Sequence, residues 1–156
     1  MKRHPSLIPF SKHHHQALLL GQILQKNSPP YENIPADAKG KKEYFVSQHL
    51  ELLKYHFDME ENLLFPFILN LTGDFRNFVD EIISEHRRME ILFEKIQNEA
   101  DPKEAEDQLG KMLIAHVRKE ERILFEDIQK KLNKNQLEEL TKLTAGLDST
   151  IGNCKI

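Results

Sequence analysis

Three histidines, His56, His86 and His116, stand thirty residues apart, and each is followed four residues later by a glutamate: Glu60, Glu90 and Glu120. In an α-helix, residues four apart lie about 40° apart around the axis and about 6 Å along it, so each pair projects from one face. The pairs also fall on apolar stripes. Around the first the stripe is Phe45, Leu52, His56, Glu60, Leu63; around the second Val79, Ile82, His86, Glu90, Phe93; around the third Leu109, Leu113, His116, Glu120, Ile123. Burying a carboxylate without a counter-charge costs several kcal/mol, and a metal cation removes that cost. Three helices that each place an ionisable pair inside therefore predict a bundle with those pairs gathered around metal.

The rest of the chain agrees with a helical bundle. Helical periodicity runs nearly throughout, and no stretch alternates apolar and polar residues as a strand would. Ser11 is a plausible N-cap for a first helix running to about Lys26, where Asn27-Ser28-Pro29-Pro30 stops it. The polar stretch to Gly40 reads as a long surface connection. A second helix spans about Lys41 to Asn70, with Pro66 kinking it or beginning its end. Asp74 can cap a third helix from Phe75 to about Gln97. Asp101-Pro102-Lys103-Glu104 is a capping-box start for a fourth, which reaches about Leu132. Asn135 can cap a short fifth helix ended by Gly146, and the final ten residues look loose. Short breaks near 72 and 100 predict antiparallel neighbours. The expected architecture is all-α, an antiparallel up-down four-helix bundle in one domain of residues 1–156, with a core of about 10–132 and an extension at 133–156.

Composition narrows the partners. The 22 basic and 25 acidic residues are scattered, and the net charge is -3. No basic block stands out, which predicts no nucleic-acid and no membrane partner. The longest apolar run, Leu63 to Leu69, has seven residues, where a bilayer needs about 20. Lys2 and Arg3 are followed by no apolar stretch, so no signal peptide is expected. The single cysteine, Cys154, cannot form an internal disulfide, and a cytoplasmic location is the default.

Helices two and four repeat each other. His56-Phe-Asp-Met-Glu60-Glu61-Asn-Leu63-Leu64-Phe65 matches His116-Val-Arg-Lys-Glu120-Glu121-Arg-Ile123-Leu124-Phe125, and His86-Arg-Arg-Met-Glu90 echoes both. Such repetition suggests a pseudo-symmetric site for two metals. In these motifs the chain, over roughly residues 10 to 130, resembles the hemerythrin-like (HHE) cation-binding domains. The resemblance implies a four-helix bundle with a non-haem di-iron centre, oxo- or hydroxo- and carboxylate-bridged. By that likeness Glu60 and Glu120 are the bridging carboxylates, and His56, His86 and His116 terminal ligands. The first helix should add one of His13, His14 and His15. His14, with Phe10, Ala17, Gly21 and Leu24 on its face, is favoured; His13 follows closely, and His15 lies on the polar side.

The oxygen-carrying members have a second histidine where this chain has Glu90. Glu90 either binds iron or supports a residue that does; as an anionic ligand it favours the ferric state and hard cations. His49, seven residues before His56, reads as a core or rim histidine, or as part of an access channel. Glu61 and Glu121 lie about 100° off the ligand stripe and read as solvated neighbours or helix–helix pairs. Four histidines with two or three carboxylates exceed a tetrahedral zinc shell, which favours iron, with manganese or zinc as alternatives. The expected function is metal binding at a di-iron centre that meets O2, NO or peroxide, in sensing, iron handling or stress protection rather than O2 transport. A di-iron oxidoreductase of peroxidase or NO-handling type, or an iron-responsive regulatory module, are the alternatives. Oligomeric state is not encoded in these features.

Overall fold

The computed structural model describes residues 1–147; Cys154 and all but the first of the ten C-terminal residues lie outside them. A 3-10 turn at Pro5–Leu7 leads into α1 (Ile8–Leu24). After the connection come α2 (Ala38–Gln48) and α3 (Leu50–Met59), a π-helical turn (Glu60–Leu64) and α4 (Phe65–Leu71). A 3-10 turn at Gly73–Phe75 precedes α5 (Arg76–Asn98). Then follow α6 (Lys103–Lys119), a second π turn (Glu120–Leu124), α7 (Phe125–Lys131) and α8 (Lys134–Thr144). The fold is an all-α bundle. Among the described residues there is no strand, only an isolated bridge between Tyr31 and Ile34, and no helix long and apolar enough to cross a membrane.

Several boundaries differ from the sequence reading, each for a local reason. Ser11 does not cap α1. The imidazole of His4 accepts from the Ser6 N–H, and Pro9 sits in the first turn, where its missing N–H costs nothing. Thr72, rather than Asp74, accepts the N–H that opens the turn before α5. Asn133, not Asn135, caps α8 in a capping box with Gln136. The second helix is broken at His49, which links α2 to α3. Pro66 does not end its helix. It lies in the first turn of α4, and the equivalent π turn of the α6–α7 arm forms with Glu126 in the proline's place, so proline is not the cause of these turns.

Two apolar clusters form the core. One gathers Leu20, Phe45, Leu53, Phe93, Ile96 and Leu109 with their neighbours. The other gathers Leu7, Phe10, Leu64, Ile82, Phe125 and Ile128, and α8 adds Leu140 to it. The chain meets them in alternating order: Phe10 before Leu20 on α1, Leu53 before Leu64, Ile82 before Phe93, Leu109 before Ile128. Every arm thus crosses from one cluster to the other, and its histidine lies at the crossing.

Candidate metal centre

Six side chains meet between the two clusters. His14 comes from α1, His56 from the end of α3 and Glu60 from the π turn after it, His86 from α5, His116 from α6 and Glu120 from the second π turn. All six are at most 2% exposed. His56 Nε2 lies 3.3 Å from Glu60 and His116 Nε2 3.3 Å from Glu120. His14 Nε2 lies 3.1 Å from Glu120 and 3.8 Å from Glu60, and His86 Nε2 3.3 Å from Glu60. The ligand atoms divide into two groups, His14, His56, Glu60, Glu120 and Glu60, His86, His116, Glu120, each within 4.8 Å. Both carboxylates belong to both groups.

The spacing of the arms explains this convergence. On the α3–α4 and α6–α7 arms the inward residues step by four: His56, Glu60, Leu64, Ile68 and His116, Glu120, Leu124, Ile128. An α-helix turns about 40° too far at each such step. The π turns absorb the excess: the Phe65 N–H donates to the Glu60 carbonyl and the Phe125 N–H to that of Glu120, five residues back. Leu64 and Leu124 thereby replace Leu63 and Ile123 on the expected stripes, and Ile123 is exposed. On α5 the inward residues step by three and four instead, Val79, Ile82, His86, Met89, Phe93.

That difference removes Glu90 from the centre. The structure does not bring it to the cluster: Met89 takes the inward place, and the Glu90 side chain is 38% exposed and paired with Arg87. His15 is exposed on α1, while His13 is buried beside His56. His49 is buried against Tyr44, ring centroids 4.9 Å apart, and burial lowers its pKa to about 4.

The outer nitrogens of the histidines are held as well. His14 Nδ1 donates to Glu121 at 2.6 Å, His86 Nδ1 to Glu61 at 2.7 Å and His116 Nδ1 to Glu85 at 2.7 Å. Of the two readings the sequence left for Glu61 and Glu121, solvated neighbours or helix–helix pairs, the structure shows the second: both pair with histidines of the cluster on another helix. Glu85, hidden in the sequence beside His86, is the one with no prior signal. Aromatic rings fix the imidazole planes: His14 stacks on Phe125 and His86 on Phe57 at 3.9 Å between centroids.

Electrostatics follow this geometry. Burial pushes His14 and His86 down, but the nearby carboxylates of Glu120, Glu121 and Glu60 hold His14 well above its ordinary value, and Glu60 and Glu61 raise His86 to about 9. Burial keeps His56 well below its ordinary value, with only Glu60 opposing it strongly. Burial also disfavours an ionised Glu85 and Glu121, yet His116 with Lys119, and His14 with Ser11, hold them down to about 2.

Both oxygens of Glu60 and of Glu120, and Nε2 of His86 and His116, are buried and make no hydrogen bond of acceptable geometry. Buried polar atoms are normally satisfied. Four such oxygens and two such imidazole nitrogens, gathered in one region, would be satisfied together by cations. The residues fit a pair of metal ions.

A model of the hemerythrin HHE cation binding domain matches residues 10–128. No curated protein and no solved structure matches the chain.

Proposed function

The chain belongs to the hemerythrin HHE cation-binding domain family, and from that premise we propose that it holds two iron ions bridged by Glu60 and Glu120 and presents them to O2, NO or peroxide. The observation that carries this reading is the sharing of both carboxylates by two histidine pairs. Imidazole and carboxylate without thiolate suit iron and manganese. Divided between two ions, the set gives each two imidazoles and two carboxylates, which would also fill a tetrahedral zinc shell, so the preference for iron over zinc rests on the family likeness rather than on donor type or a surplus of ligands. Four protein donors per ion fall below the six of octahedral coordination, leaving places for a small ligand. Bound iron would supply Lewis acidity and one-electron redox chemistry.

The chain's own residues do the rest. Glu61, Glu85 and Glu121 fix the tautomers that turn Nε2 inward, and Phe10, Phe57, Phe65 and Phe125 exclude bulk water. Ligands at most 2% exposed admit diatomics and peroxide more readily than larger substrates. With no second imidazole after His86, sensing, iron handling or stress protection fits better than oxygen transport. With one cysteine in its sequence, the chain suits a reducing cytoplasm.

Reconstitution of the metal-free protein with ferrous iron under anaerobic conditions, followed by elemental analysis, tests the centre. Two irons per chain are expected. Saturation at one, or selective tight uptake of a single zinc, overturns the di-iron reading.

A further inference from the structure

Each ligand histidine is held from behind by a residue of the preceding arm, and the four supports close a ring. His13 on α1 faces His56, Nδ1 to Nδ1, at 3.3 Å. Glu61, in the turn after α3, holds His86 on α5; Glu85 on α5 holds His116 on α6; Glu121, in the turn after α6, holds His14 on α1. Each carboxylate is in turn tied to a cation nearer the surface: Glu61 to Arg87, Glu85 to Lys119, Glu121 to Arg3. The ring therefore has three carboxylate supports and one imidazole.

The imidazole support matters because of where it falls. A carboxylate that accepts Nδ1–H fixes the tautomer and raises the basicity of the imidazole toward its metal. A neutral imidazole acceptor fixes the tautomer and adds less electron density. The position between His86 and His116 is backed by carboxylates on both histidines. The position between His14 and His56 has one carboxylate and His13. Both positions share Glu60 and Glu120, so the bridging ligands do not distinguish them.

Resting on the two-metal reading above, we propose that the two positions are inequivalent: the His86/His116 position fills first and more tightly, and His13 is the positioning residue that sets the difference at His56. The ordering gives the centre one retained ion and one exchangeable ion.

Cobalt(II) titration of the full metal-free chain, read by calorimetry and by the visible ligand-field bands, resolves the steps without redox change. Wild type should bind two ions with dissociation constants at least about tenfold apart. Glu85→Gln should weaken the first step by about ten- to a hundredfold, and Glu61→Gln supplies the same test should that variant fail to fold. His13→Ala should weaken the second step alone and shift its bands. His13→Asn, whose Oδ1 can stand where Nδ1 stood, should restore both, and His13→Asp should narrow the gap between the steps. Two ions bound in indistinguishable steps by wild type overturn the ordering while leaving the two-metal centre intact. So does a first step weakened as much as the second by His13→Ala with no rescue by asparagine. Uptake of fewer than two ions by wild type overturns the centre itself, and the ordering with it.

Discussion

Glu90 stands three links from His86: it pairs with Arg87, Arg87 with Glu61, and Glu61 with His86. Arg87 is half-exposed, and exposed ion pairs contribute about 0–1 kcal/mol. Glu90→Gln should therefore leave two metals bound, with affinity lowered by less than about fivefold, as that energy allows. Glu60→Gln and Glu120→Gln should each lose metal on dialysis. Loss of an ion from Glu90→Gln, measured by elemental analysis, would return Glu90 to the centre. The six residues at the cluster were legible because each lies on an inward stripe of its own helix. The supports were less so, because for a residue about 100° off that stripe the choice between solvent and a helix–helix pair stays open until the neighbouring helix is known. His13 and His14 illustrate the limit. Adjacent residues are both buried because α1 contacts α3 and α6, so periodicity on one helix could not say that one touches the cluster and the other its neighbour.

At the scale of elements, the π turns were written in the sequence as two runs of four-residue steps. An expectation of regular α-helix conceals them, shifting Leu63 and Ile123 inward and Leu64 and Leu124 out. The same comparison, steps of four against the three-and-four steps of α5, separates Glu60 and Glu120 from Glu90. The contact of α1 with α6 was less legible, because glycines mark many things. Here a Cβ on Gly110 would stand 2.5 Å from the Gly21 carbonyl oxygen, and one on Gly21 would meet Ile114 at 2.8 Å. Alanine gains about 1 kcal/mol of helix propensity over glycine, while overpacking costs about 1–3 kcal/mol. Because the obstacle is backbone, relief requires α1 itself to move, and α1 carries His14 two turns away. Gly110→Ala should lower the melting temperature of the metal-free protein and weaken metal binding. Gly73→Ala, where nothing lies within 4 Å of the added carbon, should do neither. Equal melting temperatures for Gly110→Ala and wild type would remove the close contact as a determinant of the bundle.

For the whole molecule, the cluster is a charged layer between two apolar ones, and metal-free and metal-loaded forms should respond to pH in opposite directions. Without metal, burial opposes charge on His14 and His86, but their hydrogen bonds to the carboxylates outweigh it, so both hold protons at neutral pH. Burial likewise opposes an ionised Glu60, and the imidazoles around it hold its pKa well below the ordinary value. A histidine whose folded pKa rises from 6.5 to about 9 contributes stability that is full below pH 6.5 and disappears as pH rises through 9. Glu106, raised to about 7 by burial, acts in the same direction at lower pH: the penalty on its charged form grows from its ordinary 4.5 and is complete just above 7. The metal-free bundle should therefore lose stability between pH 7 and 9. Metal ions require the nitrogens that those protons occupy, so loading releases protons and strengthens with pH. Bound metal stabilises only the folded state, and this contribution grows as the dissociation constant falls. The gap in melting temperature between iron-loaded and chelator-treated protein should widen from pH 7 to 8 to 9. A metal-free protein that melts higher at pH 9 than at pH 7, or a constant gap across that range, would show that the protons of His14 and His86 do not balance the buried carboxylates.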